Sequence, residues 1–170
     1  GQLHRLLELR SQQEGLYSVI TRSADGDKAD IIGVTVDWIC AAERGGDVIA
    51  YLSSPDTLIV TLTVSEKAYG LDPLTGGLDL QHPAIKADMV NPHAPVGVVG
   101  FLVEGLVRRR ERGHSPFTVL CCDNLPSNGH VVRRLVLEMA EQRDTERHTW
   151  FAGEGKLPYS VDDRIVPAPT

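Results

Sequence analysis

The chain has 170 residues, of which 42% are hydrophobic and 24% charged, a composition that supports one ordinary domain with its own core. No apolar run approaches the ~18 residues that a membrane span requires, and no charged-then-apolar leader opens the chain. The net charge of -6 argues against a nucleic-acid partner, which would want a basic face.

From the N-terminus, Leu3 to Ser11 reads as a short helix, with Leu3, Leu6, Leu7 and Leu9 at mixed helical spacing. Leu16 to Thr21 and Ala29 to Val36 alternate and are rich in β formers. The turn cluster Ser23-Ala24-Asp25-Gly26-Asp27 lies between them, so the pair reads as an antiparallel hairpin with Asp-Gly at its centre. Asp37 to Leu52 reads as a helix interrupted at Gly45-Gly46. Leu58 to Val64 is nearly continuous in β-branched and apolar residues, the pattern of a strand buried on both faces.

Asp72 to His82 is rich in Gly and Pro and reads as loop. Pro83 to Val90 is a short helix with Pro in its first turn. Pro95 to Arg112 is a helix with an apolar stripe and a cationic end, which favours its C-terminal dipole; Gly113 is the expected cap. The run Arg108-Arg109-Arg110 reads as a solvated helix end. Phe117 to Cys121 is a strand, Asn128 to Gln142 an amphipathic helix, and Thr145 to Ala152 a further helical stretch; Lys156 to Thr170 is proline-rich. The alternation of helix and strand is the pattern of an α/β fold, doubly wound around a mainly parallel sheet, with the hairpin as an antiparallel decoration. No repeat, low-complexity tract or internal boundary is visible.

Two strand ends carry dense polar groups, Thr63-Val64-Ser65-Glu66-Lys67-Ala68-Tyr69 and Cys121-Cys122-Asp123-Asn124. In parallel neighbouring strands both would meet at the carboxyl edge of the sheet, where such folds bind ligands. Asp123 and Asn128 are also good turn and cap residues, with Asn128 as a helix cap and Asp123 bracing the loop. Cys121 and Cys122 read as strand-end thiols rather than nucleophiles. Three cysteines, two of them adjacent, make a poor disulfide framework and point to a reducing, cytoplasmic setting. No metal-ligand spacing is present among cysteines and histidines.

The order Cys121-Cys122-Asp123-Asn124-Leu125-Pro126-Ser127-Asn128-Gly129 resembles the C-D-N-(L/I)-x-x-N-G signature of the long-chain mannitol dehydrogenase family, which includes fructuronate and tagaturonate reductases. Thr61 to Tyr69 is similar to that family's T-x-T-E-x-G-Y stretch, with Ser65 for Thr and Ala68 for Gly. Leu157 to Pro167 is similar to its F-P-x-x-M-V-D-R-I-x-P stretch, with Leu157 for Phe and Asp162 for Val. The three motifs follow the family's order.

The resemblance implies a Rossmann-type domain of an NAD(H)-dependent oxidoreductase that interconverts a polyol or aldonate with its ketose or keto-uronate, without a catalytic metal. It implies that Asn124 donates to the carbonyl oxygen in an oxyanion-hole arrangement and that Glu66 helps protons leave, a role that burial would favour. Thr63, Ser65, Cys122 and Asp123 would line the cofactor crevice, as would Asp163 and Arg164 near the nicotinamide. A lysine from a helical C-terminal domain would act as the acid or base.

The family's G-x-G-x-F-x-R-A-H turn is absent, and no G-x-G-x-x-G stands in the chain. Residues 1–170 are therefore expected to be part of a cofactor-binding domain, truncated at its N-terminal βαβ unit and lacking the catalytic helical domain. Alone, the chain is expected to be inactive. The competing reading is a non-catalytic α/β binding or scaffold module without a cofactor turn. Partners are expected to be small sugar alcohols, ketoses or uronates, with no nucleic acid and no membrane. Oligomeric state, NAD against NADP and the particular substrate stay open.

Overall fold

The computed structural model describes residues 12–123, 125–143 and 153. They fall into two compact units, one reaching to Cys40 and the other beginning at Ala41, a boundary that composition does not mark. The expected helices over 3–11 and 145–152 and the proline-rich end lie outside the described residues.

The first unit is a hairpin. β1 (Tyr17–Ser23) and β2 (Gly26–Ile32) pair antiparallel, from Tyr17↔Ile32 to Ser23↔Gly26. The turn is one step from its expected centre: Ala24 and Asp25 occupy the tip, and Gly26 opens β2 with φ 120°. The Ser23 hydroxyl closes the turn by donating to the Gly26 carbonyl at 3.0 Å and accepting from the Asp25 N–H at 3.3 Å. This is the local hydroxyl chemistry that makes serine a turn residue.

Among its described residues, the second unit holds a parallel strand pair and four α-helices. α1 (Ala41–Ser53) kinks at Arg44, whose φ of -127° and ψ of 42° leave the helical region just before Gly45-Gly46. β3 (Ile59–Leu62) leads into a 3₁₀ turn, Glu66–Tyr69. A loop and α2 (Pro83–Val90) follow, then α3 (Val98–Glu111), β4 (Thr118–Cys121) and α4 (Asn128–Arg143). β3 and β4 pair parallel, from Ile59↔Thr118 to Leu62↔Cys121. Parallel neighbours require a crossover, which α2 and α3 supply.

β3 corrects the expectation of a strand buried on both faces. Leu62 is buried and Val60 half-buried, whereas Ile59 is 62% exposed and Thr61 is exposed. Among the described residues β3 has β4 as its one strand partner, and only the face with Val60, Leu62, Val119 and Cys121 is lined by core.

α3 is the central element. Every residue from Val99 to Val107 is buried, because α1 and α4 both pack on it. A helix covered around its circumference loses the stripe expected of a surface helix. Each fully buried Leu or Val there contributes roughly 1.5–3 kcal/mol relative to exposure. Gly113 ends the segment in the left-handed region, φ 70°, as its residue type foretold. At the other end, the Asp88 carboxylate of α2 accepts the Val96 N–H at 2.7 Å and the Gly97 N–H at 3.1 Å. A Cβ on Gly100 would lie 2.1 Å from that carboxylate, so Gly97-x-x-Gly100 serves helix packing.

The Arg108-Arg109-Arg110 run is not a solvated helix end. Arg109 is 2% exposed, and its guanidinium is spent on backbone carbonyls at the end of α1 and beyond it. Arg108 Nε lies 2.8 Å from Oε1 of Glu104.

Glu104, 1% exposed, also holds Arg143 Nη2 at 2.7 Å on Oε2 and His93 Nδ1 at 3.1 Å on Oε1, locking the last turn of α4 to α3. Burial alone would push this carboxyl up. The hydrogen bonds from Arg143, Arg108 and His93 outweigh it and hold the group below its ordinary 4.5. A depressed carboxylate stabilises the fold above its unfolded value and loses that contribution as pH falls through its folded value. The urea midpoint is thus expected to fall with acidification below pH 4.5, and Glu104→Gln is expected to flatten that dependence. Parallel pH profiles for parent and variant would contradict this.

Candidate functional site at the carboxyl edge of the strand pair

The parallel register sets the site. Because Leu62 faces Cys121, the next residues, Thr63 and Cys122, leave the sheet side by side, and the Cys122 N–H donates to the Leu62 carbonyl at 2.7 Å. Thr63, Ser65 and Glu66 are exposed at the β3 mouth; Cys122 and Asp123 are half-buried at the β4 mouth. These five expected site residues are brought to one edge. Asn124, Asp163 and Arg164 lie outside the described residues.

A buried tyrosine joins the two mouths. Tyr69 closes the Glu66–Tyr69 turn, is wholly buried, and donates its hydroxyl to Oδ2 of Asp123. A buried phenol needs a polar partner, and Asp123 provides it across 54 positions of sequence. Burial and the bond to Asp123 push the phenol's pKa up, so it remains the donor at neutral pH. The adjacent Cys121 thiol, also wholly buried, is pushed up to about 11 by burial and by the charge of Asp123. It is a packed thiol, as expected, rather than a thiolate nucleophile.

Asp123 has further duties. Its Oδ1 accepts the Leu125 N–H at 3.3 Å, and its carbonyl accepts from Asn128 Nδ2 at 3.2 Å. Asn128 Nδ2 also donates to the Cys121 carbonyl at 3.1 Å, and its Oδ1 accepts the Gly129 N–H at 2.7 Å. Asn128 is therefore structural, but not as the expected cap. The Ser127 carbonyl accepts the first-turn N–H groups of His130 at 2.9 Å and Val131 at 3.2 Å, while Asn128 reaches back from α4 to the end of β4.

The sequence assigned Tyr69 no role. Its signal there is its place as the closing residue of the Thr61–Tyr69 stretch, with nothing in spacing to name Asp123. Glu66 is exposed, so the burial that would favour proton relay is absent from the described chain. Among the described residues, no group of three or more His, Cys, Asp or Glu side chains is placed to hold a metal ion.

Residues 4–170 match the family described as the mannitol dehydrogenase Rossmann domain. The chain belongs to this family. An Escherichia coli K12 protein described as uncharacterized oxidoreductase YeiQ is 44% identical over 96% of the chain and 33% of its own length. D-mannonate oxidoreductase of the same organism is 40% identical over 97% of the chain and 34% of its length. The solved structure of Pseudomonas fluorescens mannitol 2-dehydrogenase, a ternary complex with NAD and D-mannitol, superimposes with a TM-score of 0.85 at 30% identity. That match covers 92% of the chain and 32% of the solved chain. The chain thus spans about a third of the length of these relatives, and its Rossmann-type fold is that of the matched family and of the solved neighbour. Among the described residues, no helix is long and apolar enough to cross a membrane.

Proposed function

We propose that the chain is the later part of the cofactor-binding domain of an NAD(H)-dependent oxidoreductase, one that interconverts a polyol or aldonate with its ketose or keto-uronate. The observation that carries this reading is the convergence of the Thr63–Glu66 and Cys122–Asp123 mouths at the carboxyl edge of a parallel pair, the position at which α/β sheets bind ligands. The names of the relatives support it, since they include a mannonate oxidoreductase and a mannitol dehydrogenase solved with NAD.

The donor set suits one end of the cofactor. Thr63 and Ser65 offer exposed hydroxyls, and Asp123 a half-buried carboxylate. These suit the amide and hydroxyls of a nicotinamide riboside. They do not suit a diphosphate, which wants a Gly-rich turn at a helix N-terminus. Thr63, Ser65, Cys122 and Asp123 would hold the nicotinamide end, with Asp163 and Arg164 as further contacts. When bound, the cofactor supplies or accepts a hydride.

The chain's own groups handle the oxygen. As a carbonyl is reduced, a C–H bond forms at carbon and the oxygen gains negative charge before it takes a proton. The neutral amide of Asn124 donates to that oxygen without a proton of its own to lose. Glu66 exchanges protons with water at the β3 mouth. The acid that protonates the alkoxide is assigned to a lysine outside this chain, so the chain alone is inactive. Cys40, Cys121 and Cys122, not joined in disulfides, suit a reducing, cytoplasmic setting.

The test is an NADH titration of the full-length gene product, followed by a panel of ketoses and keto-uronates read as NADH oxidation. Binding with turnover is the expected result. Neither, in a folded protein, would overturn the reading and favour a non-catalytic α/β module.

A further inference from the structure

We propose that Tyr69 is a positioning residue for the reaction: its hydroxyl, seated on Asp123, holds the turn that carries Glu66 against the mouth of β4. The inference rests on the function proposed above. Three observations carry it.

First, the Glu66–Tyr69 turn is a single 3₁₀ turn, so fixing Tyr69 fixes the backbone that presents Glu66. Such short turns have poorer hydrogen-bond geometry than α-helix and gain little from their own backbone. Within this one, Ala68 N–H donates to the Ser65 carbonyl at 2.8 Å, and the Gly70 N–H reaches the Lys67 carbonyl at only 3.5 Å. The buried phenol adds a side-chain anchor to these bonds, across the crevice to Asp123.

Second, Asp123 is the hub of the opposite mouth. One oxygen accepts from Tyr69, the other from the Leu125 N–H, and its carbonyl from Asn128. Removing the phenol hydroxyl leaves one carboxylate oxygen without its donor and frees both sides of the crevice together.

Third, packing alone does not explain the hydroxyl. Tyr69 belongs to the buried core, where Phe would fill nearly the same volume without a polar atom to satisfy. A buried hydroxyl whose partner stands at a ligand edge is aimed at that edge.

The geometry separates this role from catalysis. Tyr69 is wholly buried, so it does not meet a substrate in the crevice. Its effect on the reaction passes through the placement of Glu66, with Asp123 as the anchor.

The test is Tyr69→Phe in the full-length gene product, with two independent readouts. Amide hydrogen exchange at Leu125 reads the clamp itself. Loss of one buried hydrogen bond is expected to speed exchange there about ten-fold. Exchange equal to that of the parent would overturn the clamp, whatever the protein catalyses.

Kinetics read the consequence. The expected result is a fall in kcat for carbonyl reduction of about 10- to 100-fold, with NADH affinity and the KM for the carbonyl substrate kept. In a Glu66→Gln background the same change is expected to cost little more, because both act through one group. A folded Tyr69→Phe protein with parental kcat, or full additivity with Glu66→Gln, would overturn the positioning role.

If Tyr69→Phe does not fold, Asp123→Asn is the second variant. Its amide oxygen can accept the Leu125 N–H while Nδ2 donates to the Tyr69 hydroxyl oxygen, so it is expected to retain the slow exchange at Leu125, while Asp123→Ala loses it. Asn and Ala variants with equal exchange would overturn the clamp. A parent that turns over no carbonyl substrate, yet shows the exchange change, would sink the proposed function and the positioning role while leaving the clamp as structure.

Discussion

Asn124→Ala in the full-length gene product is expected to lower kcat/KM for carbonyl reduction by about 100- to 1,000-fold, the usual cost of deleting one oxyanion donor. The loss is expected mostly in kcat, because the amide is needed most when the oxygen carries developing charge. NADH affinity should change little. Asn124→Asp is the sharper variant: it preserves size but offers a negative charge and no donor at neutral pH. It should be at least as impaired as Asn124→Ala. Steady-state rates near parental for either variant would remove Asn124 from the mechanism.

Arg109→Met is expected to destabilise the fold by about 3–5 kcal/mol, read as a lower urea midpoint at unchanged slope. Nη1 donates to the carbonyls of Ser54, Thr57 at 3.0 Å and Leu52 at 3.4 Å, and Nε to that of Ser115 at 2.6 Å. These carbonyls belong to the end of α1, the chain leading to β3 and the chain leading to β4. One side chain thus ties a helix to both strand entries. Methionine replaces the stem and its packing but none of the donors, and each buried acceptor left unpaired costs about 1–3 kcal/mol. The guanidinium also lies 5.6 Å from the centre of the Phe117 ring, a contact that methionine gives up. Arg109→Lys should recover only part of the loss, because an ammonium cannot reproduce the planar fork. A Met variant within about 1 kcal/mol of the parent would mean that water takes over these carbonyls.

The sequence read best where local chemistry decides alone. Pro83 starts α2, Gly113 ends the α3 segment, and the alternation around Ser23–Gly26 makes a hairpin. It read less well where a partner distant in sequence decides. Arg109 looks like a surface charge until α1 delivers its carbonyls. Val99–Val107 looks like a stripe until helices cover its other sides. Leu58–Val64 carries the composition of a doubly covered strand, yet Ile59 and Thr61 are bare, since cover comes from other elements and not from the strand. The same limit applies to the site. Both strand ends announced themselves by polarity, and the register of β3 on β4 brings them together. Tyr69 did not, because its meaning is a bond to Asp123. Asn128 was a cap by residue type but became a brace once β4 ended beside it. The roles given to Asn124, Asp163 and Arg164 rest on motif resemblance.

Hydride transfer is the central claim, and it is tested most directly by running the full-length gene product with [4,4-²H₂]NADH and a ketose or keto-uronate that it turns over, then locating the label by mass spectrometry. One deuterium on the former carbonyl carbon of the product is the expected result. Product formed with hydrogen from water at that carbon, or no product from any carbonyl substrate in a folded protein, would contradict the assignment.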